Sequence, residues 1–123
     1  MRQSRLSLCL LLALTACAQN HSPETGIQTW ADAAKAGDYA TAEALMTGDA
    51  FMKMTWREPH ERYRKAGRLQ QYTLIDGPTP AGASHTAMLR WTGSLAPLCI
   101  TVQVGANGRL IPLSDYTRCV VTP

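Results

Sequence analysis

Apolar residues fall into three regimes along this chain, and each regime marks a different kind of segment. Leu6 to Leu14 form a nearly unbroken apolar run. Further on the spacing becomes helical: Ile27, Trp30, Ala31 and Ala34 recur at i, i+3, i+4 and i+7, one face of an amphipathic helix. Ser22 or Thr25 can cap this helix. Pro23 suits a first helical position, and Thr25 with Gln28 has the spacing of a capping box. Gly37 ends it, and Asp38 can cap a second helix with Ala42, Leu45 and Met46 on its inner face. After the break at Gly48-Asp49 a third helix is expected from Ala50 to Ala66, kinked or divided at Pro59 and stopped by Gly67.

Beyond Gly67 the period shortens to two. Tyr72 and Leu74 mark a first strand that ends in the turn-rich GPTPAGAS. His85, Ala87, Leu89 and Trp91 share one face of the next strand, with Thr86, Met88, Arg90 and Thr92 on the other. Leu98, Ile100, Val102 and Val104 line one side of a third. Asn107-Gly108 is a strong hairpin signal, and the chain returns through RLIPLSDYTRCVV, where Pro112 predicts a bulge or an edge position. Helices first and antiparallel strands afterwards make an α+β domain, with N-terminal helices packed on a curved antiparallel sheet of about four strands.

The apolar run at the start belongs to a different story. Arg2 and Arg5 precede it and small residues follow, which describes an export signal. A membrane-spanning helix needs roughly 20 apolar residues, about twice this run. A plain secretory signal could end at Ala16-Cys17-Ala18. The segment Leu14-Thr15-Ala16-Cys17 resembles something more specific, the lipobox of bacterial lipoproteins. That resemblance implies a diacylglycerol on the Cys17 sulfur, cleavage after Ala16 and a second acylation at the new amino end. Two or more acyl chains make a stable anchor, each buried CH₂ contributing about 0.8 kcal/mol. In that family Asp after the cysteine retains the protein in the inner membrane. Ala18 stands there instead, which points to the outer membrane, facing the periplasm, in a cell that has one. The expected organisation is a cleaved signal over 1–16, a lipidated Cys17 with a polar tether over 17–24, and a single domain over 25–123.

Removing the leader also changes the charge. The formal net charge of the whole chain is +3, but without Arg2 and Arg5 ten basic residues face nine acidic ones. A nucleic-acid-seeking protein is not indicated. Of four cysteines, Cys9 leaves with the leader and Cys17 carries lipid, so Cys99 and Cys119 are left to pair in an oxidising compartment. Free thiols or a metal site are the alternatives, but no CxxC accompanies them and His60-Glu61 fails the HExxH pattern. A two-residue turn at Asn107-Gly108 sets Cys99 and Cys119 three residues out of register, so an irregularity near Pro112 or after Asp115 must absorb the offset.

The stretch from Trp30 to Leu45, W-x-x-A-x-x-A-G-D-Y-x-x-A-x-x-L, resembles the opening of many proteins of the nuclear transport factor 2-like superfamily. TWREPHERYRKAGRLQQYTL, with its glycine before the first long strand, is similar too. The resemblance implies helices enclosed by a cone-shaped sheet, whose interior serves as active site, ligand pocket or packed core. No catalytic motif of the family's enzymes matches residue by residue, so no catalytic role is carried over.

The remaining candidates each have an ordinary reading beside the functional one. His85, on an apolar face, could act as a base if buried beside Asp115 or Tyr116, or simply end a strand with its polar edge in water. Arg57, Arg62, Arg64, Lys65 and Arg68 could meet anionic lipid or a protein partner. Glu58 and Glu61 among them predict a locally compensated, solvated face. Trp56, Tyr72, His85 and Trp91 are the candidate pocket lining, against the reading that the tryptophans fill a small core. The functional expectation is a membrane-anchored lipoprotein with a non-catalytic protein-interaction or envelope-assembly role. Its partners would be the membrane through Cys17 and an envelope protein, without cofactor, metal or nucleic acid. The alternative is a periplasmic small-ligand binder using the cone, with an enzyme third.

Overall fold

Ser22, rather than Thr25, opens the first helix: its Oγ accepts from the Thr25 backbone N–H at 3.2 Å, and Pro23 occupies the first turn. The computed structural model describes residues 22–77 and 84–119. The leader, Cys17, residues 78–83 and the residues from Val120 on lie outside the described residues.

Helix α1 (Pro23–Ala36) buries Ile27, Trp30, Ala31 and Ala34, the stripe its spacing predicts. It therefore begins two residues before the domain boundary expected at Thr25. Gly37 ends it in the left-handed region at φ 77°, where the Asp38 N–H returns to the Ala33 carbonyl at 2.9 Å. Asp38 then caps α2 (Tyr39–Ala44) through the Thr41 N–H, and Ala42, Leu45 and Met46 are buried. Asp49 caps α3 (Ala50–Lys65), which runs through Pro59 as one helix instead of dividing there. Proline removes only one donor, and the half-buried Pro59 ring is accommodated beside Trp56 and His60. Trp30 packs on Trp56 at 5.1 Å between ring centroids, and the Ala34 carbonyl meets His60. Both contacts have the same sequence offset, so α1 and α3 run in the same direction and begin at the same end of the molecule.

The sheet is antiparallel, in the order β1 (Gln71–Asp76), β2 (His85–Thr92), β3 (Leu98–Val104), β4 (Leu110–Pro112), with β5 (Thr117–Arg118) also paired to β3. Three N-terminal helices followed by this sheet establish the α+β class. The alternation in β2 and β3 holds, with Ala87, Leu89, Trp91, Ile100, Val102 and Val104 buried. One register shift falls between Leu74 and Asp76.

The β3–β4 turn is one residue longer than Asn107-Gly108 alone suggests. Gly105 N–H bonds the Arg109 carbonyl at 2.8 Å, Val104 faces Leu110, and Gly108 takes φ 80° at the end of a three-residue loop. Pro112 does sit on an edge, opposite Val102. The offset of the cysteines is absorbed by the irregular stretch 113–116. There Leu113 N–H reaches the Thr101 carbonyl at 2.8 Å, and the Ser114 hydroxyl accepts from the Thr101 N–H at 3.0 Å. When pairing resumes, Cys99 faces Thr117, and Cys99 is bonded to Cys119 with their Cα atoms 5.0 Å apart.

Candidate functional site

A half-open groove of about 350 Å³ runs between α3 and the irregular stretch after β4. Phe51, Met52, Thr55, Trp56 and Pro59 form the helix wall, while Ile111 to Tyr116 form the other. Ile100 lies between them. The lining is apolar apart from Thr55, Ser114 and one charged group, Asp115. Local sequence explains the two walls. Pro59 has no N–H, so the Thr55 carbonyl lacks its helical donor. Pro112 likewise gives its edge one donor fewer, and the chain leaves the ladder just beyond it.

Behind the groove lies a ring of aromatic side chains around His60, which is fully buried. His60 Nε2 sits 2.8 Å from the Ala34 carbonyl oxygen, so that nitrogen carries the proton. Its Nδ1 is then the acceptor, and the Tyr116 hydroxyl donates to it. Burial pushes the His60 pKa down to about 4, only partly offset by the bond to Ala34, which favours the protonated ring. Burial likewise pushes the Tyr116 hydroxyl well above its ordinary value. Both groups are neutral at physiological pH, as their hydrogen bond requires. Trp56 stacks on His60 at 4.6 Å, and Trp91 meets it edge-on at 5.7 Å.

The candidate pocket residues are distributed over the fold. Trp56 forms part of the groove wall and the core together. Trp91 is buried in the core and Tyr72 packs on it at 5.5 Å, with the Tyr72 hydroxyl donating to the Gln28 carbonyl at 3.3 Å. Neither lines the groove. His85 stands at the opposite end of β2 from Trp91, about 20 Å along the strand, paired with Val104. It does not meet Tyr116; the histidine that does is His60. Sequence reasoning weighed His60 only as part of a failed HExxH pattern, although Trp56, His60 and Tyr63 follow one another at i, i+4 and i+7.

Four basic residues of α3 are paired with carboxylates. Arg57 makes a two-point contact with Glu43, Arg62 reaches Glu58 at 2.8 Å, and Glu61 holds both Arg64 at 2.9 Å and Lys65 at 3.5 Å. Arg68 lies over the Tyr63 ring. The Tyr39 hydroxyl also donates to Glu61. The hydrogen bonds from Arg64 and then Tyr39 hold the Glu61 pKa at about 2, and burial with the neighbouring Glu61 raises Tyr39 to about 12. The solvated-face reading of α3 fits this arrangement better than a free cationic surface.

Among the described residues no group of three His, Cys, Asp or Glu side chains is placed to hold a metal ion, and no helix is long and apolar enough to cross a membrane. Comparison with protein-family models, with curated proteins and with solved structures finds no match.

Proposed function

We propose that this chain is an exported bacterial lipoprotein, acylated on Cys17, whose domain performs a non-catalytic role in the cell envelope by holding a partner protein in the α3 groove. The observation that carries the reading is the groove itself: an apolar channel of about 350 Å³ bordered by the exposed side chains of Phe51, Met52 and Leu113. Exposed apolar surface concentrated in one place marks interaction sites. His60, the obvious candidate for acid–base chemistry, is engaged in the core by Ala34 and Tyr116. The Cys99–Cys119 bond accords with an oxidising compartment outside the cytoplasm. The resemblance to the nuclear transport factor 2-like superfamily is part of the proposal, supported by the helices-first order and the Gly37-Asp38 junction.

A second reading has its own observation. The groove reaches the size at which small-molecule sites begin, roughly 300 Å³, and Ser114 and Asp115 are polar residues in its lining. Two measurements separate the readings. A photo-crosslinking residue at Leu113 in intact envelopes captures one reproducible protein, and the same capture is lost with Thr55→Arg in the facing wall; no capture overturns the interaction reading. A small ligand retained in native mass spectrometry of the purified protein favours the alternative. For the anchor, Cys17→Ala shifts the domain from the membrane to the soluble fraction. Unchanged fractionation, or native protein without acyl mass, overturns it.

A further inference from the structure

The first turn of α3 exposes more apolar surface than its groove requires. Phe51 is 74 % exposed, Met52 42 % and Met54 64 %, three of the seven exposed large hydrophobic residues among those described. At about 100° per residue these three side chains spread over almost half of the helix circumference, so one groove cannot cover them all. Met54 lies on the flank away from the groove, beside Tyr39 and Arg57.

The position of this turn relative to the tether is fixed by the packing of α1 on α3. Trp30 lies against Trp56 and Ala34 against His60, so the two helices run side by side in the same direction. The same offset sets Ser22 level with Gly48, one short step before Phe51. The hairpin tip belongs to that end too, since Gly26 abuts Gly108. Four residues separate Cys17 from Ser22, and the five steps between them, fully extended, span at most about 18 Å. An acylated Cys17 therefore holds this end of the domain closest to the bilayer.

We infer that the first turn of α3, through Phe51, Met52 and Met54, rests in the interfacial layer of the bilayer to which Cys17 is anchored. The inference rests on the lipoprotein reading above. The neighbouring charges Asp49 and Lys53 offset one another, so the contact is apolar burial and does not need anionic lipid. The tether then restrains distance while the helix turn fixes orientation, and the groove opens sideways just above the membrane surface.

Methionine oxidation tests this on the native chain. The acylated protein is reconstituted into phosphatidylethanolamine–phosphatidylglycerol vesicles, treated with hydrogen peroxide, and the oxidation rates of Met52, Met54 and Met88 are read by peptide mass spectrometry. Met88, 39 % exposed on the outer face of β2, is the internal reference. By exposure alone Met54 oxidises fastest and Met52 matches Met88. Bilayer contact inverts that order, with Met52 and Met54 at least fivefold slower than Met88 and the protection unchanged in high salt. Met54 oxidising as fast as Met88 overturns the inference while leaving the anchor intact. Protection that vanishes on tenfold dilution of protein in the vesicles assigns the surface to a second copy and also overturns it. Absence of acyl mass on the starting protein removes the anchor and the inference together.

Discussion

Tyr116 donates its hydroxyl proton to His60 Nδ1 across 56 residues of sequence, and the same imidazole donates from Nε2 to the Ala34 carbonyl. One buried ring thus joins α1, α3 and the stretch that leads into β5. The bond links the core to the groove, because Tyr116 lines the groove with its ring and satisfies the core with its oxygen. Each partner depends on the others. Removing one leaves a buried polar atom unmatched, which costs about 1–3 kcal/mol.

The first prediction is a pH dependence with a definite window. The folded His60 pKa is about 4, against 6.5 in an unfolded chain. The native state therefore disfavours protonation. Its stability is whole above pH 6.5 and falls as the pH drops towards about 4, by an amount on the order of 2–3 kcal/mol. Urea unfolding at a series of pH values measures this. His60→Phe is less stable at neutral pH, since Ala34 and Tyr116 lose their partner, but its decline between pH 6.5 and 4 is smaller. Equal slopes in both proteins would remove His60 as the cause. Glu61, held at about 2, acts in a separate window: the stability it contributes is lost as the pH falls below about 4.5.

The disulfide supplies the second prediction. Closing a loop of about 20 residues contributes roughly 3 kcal/mol in the chain-entropy model. The double variant Cys99→Ala, Cys119→Ala should lose stability on that scale in urea. The effect also has a location. The bond ties the chain three residues after Tyr116, so hydrogen exchange should quicken at 113–118 before it does in β2. Alkylation of the denatured, unreduced protein should label neither cysteine; labelling of both would overturn the pairing.

Gly26 gives a third prediction whose sign runs against propensity. Alanine ordinarily stabilises a helix interior relative to glycine by about 1 kcal/mol. Here a Cβ at Gly26 would overlap the carbonyl oxygen of Gly108, which is backbone and part of a three-residue turn. Gly26→Ala should therefore destabilise, by about 1–3 kcal/mol, as α1 is pushed from the hairpin. A thermal melt reads it directly, and a stabilised variant would show that the two elements separate freely.

How far the sequence revealed all this differs by feature, for physical reasons. The inner faces of α1, α2, β2 and β3 were legible because burial of an apolar stripe imposes its period on the local sequence. The pairing of Cys99 with Cys119 was legible from elimination, but its register was not. A left-handed Gly108 suits a three-residue loop as well as a two-residue one, and the two differ by one residue in pairing. His60 was hidden because a histidine on an apolar face reveals its role only when Ala34 and Tyr116 arrive from distant parts of the chain. The groove had no signature for the same reason. One wall is the exposed flank of α3 and the other is the break after Pro112, and neither announces that it will face the other. Apolar periodicity reports what is covered by the fold, whereas this site is made from what the fold leaves uncovered.

Pro59 supports a last prediction, because it is the one residue in α3 that opposes its own helix. It lacks the N–H that would pair with the Thr55 carbonyl, and an interior proline typically costs about 3 kcal/mol relative to alanine. The helix nevertheless continues through it from Ala50 to Lys65. Pro59 lines the groove beside Thr55. Pro59→Ala restores the missing bond and should raise stability by about 1–3 kcal/mol in urea. It should also weaken photo-crosslinking from Leu113, since the groove loses the ring contact. Stabilisation with unchanged capture would mean the partner does not use that wall; destabilisation would mean the ring is needed to pack against the core.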